Sequence, residues 1–461
     1  MSGPRPADGT PDGRPEAPGG LEGPGRVTPQ ALARLARTRT APGDVALLLD
    51  GLHSGRLLLL KSLLTRLERP PAVPGPARAR FEEHWQLLEH AEAHHPARVA
   101  ETLDYPSVGT WLAHTLAAPD GETLALRLGH FGAVAATAAL RAGADFALDL
   151  PAPGGRLALP GTGLLRVTDS PVRLTAHGPA ARLAAPGGHG GALLLRAAGR
   201  VTGHGPGWQG LRRLAGGPVR LDDLDPYRAP PGGAGRSALP AAPRTAGGPR
   251  TDAVPWPRHW RAALALLRAT DPARAAEVTA LLRCLVPLAP AGRPGAKASA
   301  TYRVAPGAVL TTPPDSPREL AEVLVHETQH GKLAVLHDLV PLYAPPPHGR
   351  PALHRVAWRP DPRPVGGVLQ GAYAHLALAD LRTRAALLPG LAPTARHEAR
   401  TRRDSCLRQV ARALDVLLES AELTPAGREF VIAMERHLAG LTRPGGPDVT
   451  IGTASPVGDV R

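Results

Sequence analysis

The sequence predicts a mainly α-helical protein with a smaller β region, an α+β fold whose helical core carries an H-E-x-x-H motif on a buried helix. Apolar residues recur at helical spacing over residues 27–144 and again over 251–441. Between these regions, residues 145–228 are β-rich, with short alternating apolar runs between Gly and Pro turns. With 461 residues, 43% of them hydrophobic and only 3% aromatic, a sizeable aliphatic core is expected.

The N-terminal third begins with residues 1–26, a Pro/Gly-rich stretch that is predicted to be disordered and lacks the apolar core of a signal peptide. Helices are predicted from about Thr28 onward. The run DVALLLDGLHSGRLLLLKSLLTRL predicts one or two buried helices, and ARFEEHWQLLEHAEAHHPARVAETL predicts one amphipathic helix. An Ala-rich helix that packs tightly is expected to end near Gly143.

This helical region also contains five histidines: His84, His90, His94, His95 and His114. Their spacing shows no regular pairing of metal ligands. We therefore expect solvated helix faces here rather than a metal site.

After the β-rich region, which the run LDDLDPYR closes, residues 229–250 form a Pro/Gly-rich linker. Helical periodicity returns in WPRHWRAALALLRATDPARAAEVTALLRCLVPLAP, and ASATYRVAPGAVLTTPP has strand character. Residues 251–441 are predicted to be a helical metal-binding region, and residues 442–461 a disordered tail.

Charge and cysteine content limit the function classes. The net charge of +14 is spread along the chain, and no dense basic block is interleaved with aromatic residues, so we expect no nucleic-acid partner. No window approaches 18 uninterrupted apolar residues, so no membrane span is expected. The two isolated cysteines, Cys284 and Cys406, predict a reduced cytoplasmic location.

The motif lies in LAEVLVHETQHGKLAVLHDLVPLY, where the apolar spacing is helical. Ser316 or Asp315 can cap this helix, and Pro317 suits its first turn. His326 and His330 are four residues apart, so their imidazoles share one helix face and can bind one metal ion. Glu327 is placed to act on metal-bound water or on substrate.

The identity of the third metal ligand distinguishes the classes of metalloenzyme that share the H-E-x-x-H motif. A metzincin would have Gly and His where this chain has Leu333 and Leu336. A thermolysin-like zinc enzyme would take a glutamate from a downstream helix. The helix VLQGAYAHLALAD offers no glutamate but contains His375, 45 residues after His330. A three-histidine or two-histidine-plus-one site with open positions suits iron as well as zinc.

Two further polar residues follow on the same helix. His337 lies seven residues after His330, roughly 10 Å along the helix at ~1.5 Å per residue. At this distance His337 cannot bind the same metal ion as His326 and His330, and neither can Asp338, which is one residue further on. We expect both to line the pocket, where they are candidate substrate contacts, or to cap a neighbouring element.

Just before the helix of His375, the loop WRPDPRP holds Arg359 and Arg363 on a proline-stiffened segment. Rigid guanidinium groups near a metal suit bidentate binding of a carboxylate, such as that of a 2-oxo acid or of the substrate. The alternative is a structural loop in a protein rich in Arg and Pro.

These stretches carry a resemblance to a known family. The run LAEVLVHETQHGKLAVLHDLVPLY, followed by WRPDPRPVGGVLQGAYAHLAL, resembles the HEXXH-motif peptide-modification proteins of ribosomal-peptide gene clusters, the 2-oxoglutarate-dependent HExxH-type peptide β-hydroxylases. The segments YPSVGTWL, ALRAGADF and LDDLDPYR also look like family elements, and the resemblance covers most of residues 28–440.

The resemblance implies an Fe(II) centre that uses O₂ and 2-oxoglutarate to hydroxylate a β-carbon in a ribosomally made precursor peptide. It makes His326 and His330 iron ligands with His375 as the third, and Arg359 and Arg363 the residues that bind the cosubstrate. Glu327 would then orient a ligand or substrate. Gln370 and Tyr373 flank the ligand helix and could contact cosubstrate or peptide.

Some family-like proteins are fused to a radical-enzyme domain. This chain has no Cx₃Cx₂C cluster motif, so it would act alone or with a separate radical-enzyme partner. Two other functions stay open at this stage. One is a zinc metallopeptidase of the HExxH type that acts on peptides, and the other is a non-catalytic peptide-binding protein.

Overall fold

A computed structural model describes residues 27–69, 72–186, 190–230, 245–247, 249–289, 297–344 and 350–443. Helices hold 55% of these residues and strands 15%, which confirms the mainly α fold with a smaller β region. Residues 1–26, predicted to be disordered, lie outside the described residues, as does most of the linker 229–250. Of the tail 442–461, also predicted to be disordered, Thr442 is the last residue of a helix and residues 444–461 lie outside the described part.

The N-terminal helices precede all strands. They are α1 (Pro29–Ala36), α2 (Pro42–Leu67), α3 (Gly75–His94), α4 (Pro96–Leu103), α5 (Pro106–Leu116), α6 (Glu122–Leu128) and α7 (Phe131–Ala142). The later helices are α8 (Pro249–Asp252), α9 (Trp256–Thr270), α10 (Pro272–Leu281), α11 (Pro317–Leu339), α12 (Val365–Ala385), α13 (Pro393–Glu419) and α14 (Pro425–Thr442).

Ten strands follow α7. They are β1 (Phe146–Leu150), β2 (Arg156–Leu159), β3 (Gly163–Arg166), β4 (Val172–His177), β5 (Ala180–Ala184), β6 (Gly191–Ala197), β7 (Arg200–His204), β8 (Trp208–Gly210), β9 (Arg212–Arg213) and β10 (Arg220–Leu221). Three more lie between α10 and α11: β11 (Cys284–Pro287), β12 (Ser299–Ala300) and β13 (Ala308–Thr311).

The strands form three sheets among the described residues. An antiparallel sheet has the order β1-β4-β5-β6-β7, and a smaller one the order β2-β3-β8. A mixed sheet has the order β12-β13-β11-β10-β9, in which β10, β11 and β13 are parallel and both outer strands are antiparallel to their neighbours.

The mixed sheet is covered by helices on both faces. Leu285 and Val309 belong to the core that α9, α11 and α12 share, whereas Val286 and Leu310 belong to the core of α2 to α7. Parallel strands buried on both faces are typical of such a layer. The sheet therefore joins the N-terminal helices to the motif helix and places one end strand, β12, beside it.

Two details differ from the sequence predictions. The helix predicted through CLVPLAP ends at Leu281, and Cys284–Pro287 is a strand, because a strand buried on both faces shows no alternation that would separate it from a helix. The single helix predicted around residues 79–103 is two helices, since Pro96 follows His95, and a residue before proline is held in an extended conformation.

Other local predictions are confirmed. Gly143 ends α7 with φ of 81°, a left-handed conformation that glycine adopts without strain. Both cysteines are unpaired and buried. In the described part of the chain, Glu122–Ala142 is long and apolar enough to cross a membrane, but 67% of its apolar window is buried inside the protein. Burial of this extent is typical of helices in a protein core.

Candidate metal centre

The motif helix α11 begins where the sequence predicts. Ser316 is the N-cap, and its Oγ accepts a hydrogen bond of 3.1 Å from the backbone N–H of Glu319. Pro317 occupies the first turn. The helix ends at Leu339, two residues before Pro341, and it packs against α2, α9, α10 and α12. This burial on several sides fixes the direction in which the motif side chains point.

His326 and His330 point their Nε2 atoms at each other, 3.1 Å apart. Their rings are nearly perpendicular, at 88°. Imidazole nitrogens bind a metal such as zinc at about 2.0–2.1 Å, so two nitrogens at this separation can both reach one ion. The structure therefore brings together the two motif histidines as the sequence predicts.

His375 approaches the same place from α12. Its ring centroid lies 5.2 Å from that of His326, again at 88°. On its other side, the ring stacks on Trp358 with centroids 4.7 Å apart. Trp358 comes this close because Gly371 has no side chain; a Cβ there would lie 2.5 Å from the indole nitrogen. The helix pair α11 and α12 thus gathers three histidines.

In two of these rings, Nδ1 is already hydrogen-bonded to the protein. Nδ1 of His330 is 2.9 Å from Oε1 of Gln370, and Nδ1 of His375 is 2.8 Å from the carbonyl oxygen of Gly371. Because an acceptor at Nδ1 holds the proton there, Nε2 keeps its lone pair for a metal. Gln370, predicted as a contact of cosubstrate or peptide, here orients the ring of His330.

Burial also sets the charge of the site. It lowers the pKa of His326 well below its usual value, and the neighbouring His330 and His375 lower it further. Burial lowers the pKa of His375 to about 4, although its hydrogen bond to Gly371 acts in the opposite direction. Both rings are therefore neutral near pH 7, which is the form that binds metals.

Glu327 is held at the edge of the mixed sheet. Its side chain is buried, and Oε1 accepts a hydrogen bond of 2.6 Å from the hydroxyl of Ser299 in β12. The hydroxyl of Thr301 donates to the backbone carbonyl of Glu327 at 3.2 Å. Oε2 is buried without a hydrogen-bond partner among the described residues. The carboxylate therefore has one oxygen fixed and one with unused acceptor capacity.

The arginine loop is organised around Asp361. Its carboxylate lies 3.1 Å from Nε of Arg359 and 3.0 Å from Nε of Arg363. The hydrogen bond from Arg359 lowers the pKa of Asp361. The backbone of Arg363 also pairs with His354 as an isolated antiparallel bridge. Asp361 thus brings the two predicted arginines together, while Trp358 of the same loop stacks on His375.

Three other predicted residues lie away from the histidines. His337 accepts a hydrogen bond from the backbone N–H of Leu342 at 3.1 Å and so caps the end of α11. Asp338 pairs with Arg303 near the surface. Tyr373 is buried and donates to the backbone carbonyl of Leu35 at 2.6 Å. None of these contacts is with the three histidines.

An ionic cluster that the sequence analysis did not predict lies on another face of α11. Lys332 is buried, and its Nζ is 2.6 Å from Oε1 of Glu277 in α10. Gln329, within the motif, donates to Oε2 of the same glutamate at 3.1 Å. Arg274 lies 2.9 Å from that carboxylate and also contacts Asp380 of α12 at 3.3 Å. The cluster therefore links the motif helix to α10 and α12.

Burial disfavours the charge of Glu277, but Lys332 and Arg274 outweigh burial and lower its pKa to about 2. The carboxylate is consequently ionised at any ordinary pH. A lysine inside an otherwise apolar helix pattern was the one available sequence signal. Its partners, however, lie tens of residues away, and spacing does not identify them.

Two segments of the family resemblance contact each other. The hydroxyl of Tyr105, in YPSVGTWL, donates to Oδ2 of Asp222 at 2.8 Å, and the hydroxyl of Ser107 donates to Oδ2 of Asp225 at 2.7 Å. All four side chains are buried. Burial and the neighbouring Asp225 raise the pKa of Asp222 to about 7. These hydrogen bonds join the start of α5 to the segment LDDLDPYR itself.

The donor set fits a metal ion. Two imidazoles face each other through Nε2, and a third lies against them with its Nδ1 hydrogen-bonded. As the side chains stand, no group of three or more His, Cys, Asp or Glu in the described ranges has metal-binding geometry. His326 and His330 are the preformed part of the site, and His375 is the neighbour best placed to complete it.

Comparison of the chain with protein-family models gave no match, and comparison with curated proteins gave none either. A function for this chain can therefore be inferred from the residues of the site and from the resemblance of its motifs.

Proposed function

We propose that the protein is an Fe(II)- and 2-oxoglutarate-dependent hydroxylase that acts in the cytoplasm on a β-carbon of a residue in a ribosomally made precursor peptide. The observation that carries the proposal is the arrangement of His326, His330 and His375, with the arginine loop stacked on the third histidine through Trp358. A peptidase of the common H-E-x-x-H classes would have a different third ligand.

His326, His330 and His375 would hold the iron, and the bound iron would supply activation of O₂ coupled to oxidation of the 2-oxo acid. The protein's part is to keep His326 and His375 neutral and to orient the rings. Gln370 and the Gly371 carbonyl do this by accepting the Nδ1 protons of His330 and His375.

Arg359 and Arg363 would bind the carboxylate of 2-oxoglutarate. A guanidinium group has five N–H donors, and a single carboxylate uses only some of them. Contact with Asp361 is therefore compatible with binding of a second anion. Asp361 holds the two groups in a fixed relation. The proline-rich backbone reduces the conformational entropy that each arginine loses on binding.

Oxidation of the cosubstrate balances the atoms and electrons of the hydroxylation. One oxygen atom of O₂ enters a C–H bond of the peptide and becomes its hydroxyl group. The other enters succinate, which forms from 2-oxoglutarate with release of CO₂. The two electrons that O₂ needs beyond those of the C–H bond come from this oxidative decarboxylation. Glu327, held by Ser299, would orient the peptide or a ligand through its unpartnered Oε2.

The test is anaerobic reconstitution with Fe(II), followed by O₂, 2-oxoglutarate and a precursor peptide encoded next to the protein. We expect the peptide to gain one oxygen atom, with one succinate formed per hydroxylation. Omission of 2-oxoglutarate should abolish both products. Peptide cleavage with zinc and without cosubstrate would overturn the proposal.

One observation favours a second candidate, a zinc metallopeptidase. A buried carboxylate beside two metal-ligating histidines, with one oxygen unpartnered, could serve as the general base for a metal-bound water. The mass of the peptide product distinguishes the two functions, because hydrolysis adds water across a broken bond. A protein that binds the peptide but gives neither product would be a non-catalytic peptide-binding protein. A separate radical-enzyme partner would be required only if the isolated protein fails with the peptide.

A further inference from the structure

The N-terminal half contains a large cavity that the proposed function does not use. Its volume is about 780 Å³, within the range of roughly 300–1,000 Å³ that is common for ligand sites. It lies between α3, α6, the start of α7 and the segment from β1 into β2, with Tyr227 of LDDLDPYR at one side. None of the residues of the candidate metal centre lines it.

Most of the cavity wall is apolar. Phe81, Leu150, Leu157 and Leu164 contribute to it from α3 and from the strands. Leu126 of α6 also lines the cavity, yet 68% of this residue is exposed, so it lies where the cavity meets solvent. A wall of this kind suits an apolar group that enters from the surface.

Two histidines with unsatisfied ring nitrogens are among the residues that line this cavity. His84 is only 2% exposed, and neither of its ring nitrogens has a hydrogen-bond partner among the described residues. Sequence spacing predicted a solvated side chain here, which is wrong. The ring fits because position 132 is glycine: a Cβ there would lie 2.6 Å from Cε1 of His84. His130 likewise has a buried Nε2 without a partner in the described part.

Buried polar groups are nearly always hydrogen-bonded, so each of these nitrogens has hydrogen-bonding capacity for a bound water or a ligand group. Burial, together with Arg80, lowers the pKa of His84 to about 4, and burial lowers that of His130 to about 4. Each ring is therefore neutral and carries one N–H donor. A donor of this kind suits an acceptor group on the ligand.

The charge of the lining is mainly positive. Arg80, Arg127 and Arg156 line the cavity, whereas Glu122 is its one acidic lining residue. Arg127 donates to Nε2 of His114. In the described ranges, Arg80 and Arg156 form no ion pair, so no carboxylate of those ranges neutralises them. The excess of cations favours an anion.

We propose that this cavity binds a carboxylate carried on an apolar body, with the arginines holding the carboxylate and the leucine-rich wall holding the rest. Two sources supply that chemistry: a small organic acid, or an acidic residue between apolar residues in a peptide. The site is separate from the metal centre and does not depend on what that centre does.

The test is calorimetric titration of the full-length protein with octanoate and with octanamide, which has the same apolar body but no charge. We expect octanoate to bind at least about tenfold more tightly, because hydrogen bonds to charged groups are the stronger ones. The substitution Arg156→Gln should remove most of that difference and leave octanamide binding unchanged. Arg173→Gln, at an exposed arginine on β4 outside the cavity, is the matched control and should change neither affinity.

Thermal unfolding of each variant checks that it folds, and Arg80→Gln replaces Arg156→Gln if the latter does not. A short acetylated peptide with one Glu between leucines, against its Gln counterpart, identifies the source. Tighter binding of the Glu peptide than of octanoate assigns a peptide ligand, and the reverse order assigns a small acid. Equal affinities for octanoate and octanamide, or no binding of either, would overturn the proposal.

Discussion

The substitution Glu277→Gln tests what holds the motif helix in place. Glu277 is buried in α10, with Oε1 2.6 Å from Nζ of Lys332 and Oε2 2.9 Å from Nη1 of Arg274. Glutamine has the same shape but carries no charge. Lys332 and Arg274 would therefore stay buried while losing the anion that they share.

The expected loss follows from the pKa of Glu277, which is lowered from 4.5 to about 2. At about 1.36 kcal/mol per pKa unit, this corresponds to roughly 3 kcal/mol of stability near neutral pH. Removal of one member of other buried ion pairs costs about 3–5 kcal/mol. We therefore expect Glu277→Gln to lower the free energy of unfolding by roughly 3 kcal/mol.

Urea unfolding followed by circular dichroism measures this loss. The control is Glu322→Gln on α11, whose carboxylate is 2.6 Å from Arg382 but is 21% exposed. That pair is partly solvated, so its loss should cost about 1 kcal/mol or less. The double variant Glu277→Gln/Lys332→Met should recover part of the stability, because it removes one of the two cations that the single variant leaves uncompensated.

The pH dependence gives a second check. The pKa of Glu277 is lower in the folded protein than in the unfolded chain, so its contribution is present above about pH 4.5 and is lost as the pH falls towards 2. The difference between wild type and Glu277→Gln should shrink over that window. The reasoning is refuted if Glu277→Gln costs no more than Glu322→Gln at neutral pH.

Four further predictions concern single side chains. His375→Ala should weaken Fe(II) binding in an anaerobic titration by at least about tenfold, whereas His337→Ala should not. If His375→Ala bound Fe(II) as tightly as the wild type, His375 would not be a metal ligand. Gln370→Leu should weaken metal binding roughly 10- to 100-fold, since nothing else in the described structure accepts the Nδ1 proton of its histidine. Arg363→Ala should raise the 2-oxoglutarate concentration needed for half-maximal succinate formation about tenfold; an unchanged value excludes this arginine from the cosubstrate site. Asp222→Asn should cost less stability at pH 8 than at pH 5, because the pKa of Asp222 is raised to about 7 and its favourable contribution is lost as the pH rises through 7; a cost that does not vary with pH would contradict this.

Sequence alone predicts the parts of the site that local chemistry determines. The cap at Ser316, Pro317 in the first turn and the i, i+4 histidines follow from helix geometry, and the structure contains each of them. The strand Cys284–Pro287 was missed because both of its faces are buried, so its side chains do not alternate. Local pattern carries no information about which elements cover a strand.

Contacts between segments that are far apart in the chain could not be predicted from the sequence either. Lys332 pairs with Glu277, 55 residues away, and His84 is buried because Gly132 leaves room for its ring. Neither fact follows from periodicity, since each depends on which helices pack together. The ionic cluster and the histidines in the cavity therefore became visible only in three dimensions.

The motif helix has three faces that make different contacts. His326 and His330 face α12, Glu327 contacts β12 through Ser299, and Lys332 contacts Glu277 in α10. A rotation of α11 about its axis would break all three sets at once, so each set opposes displacement of the others. The positions of the histidine nitrogens and of the Glu327 carboxylate are consequently set by protein contacts before any metal binds. Under the proposed function, these contacts would keep the two motif histidines oriented while other coordination positions stay open for cosubstrate and O₂.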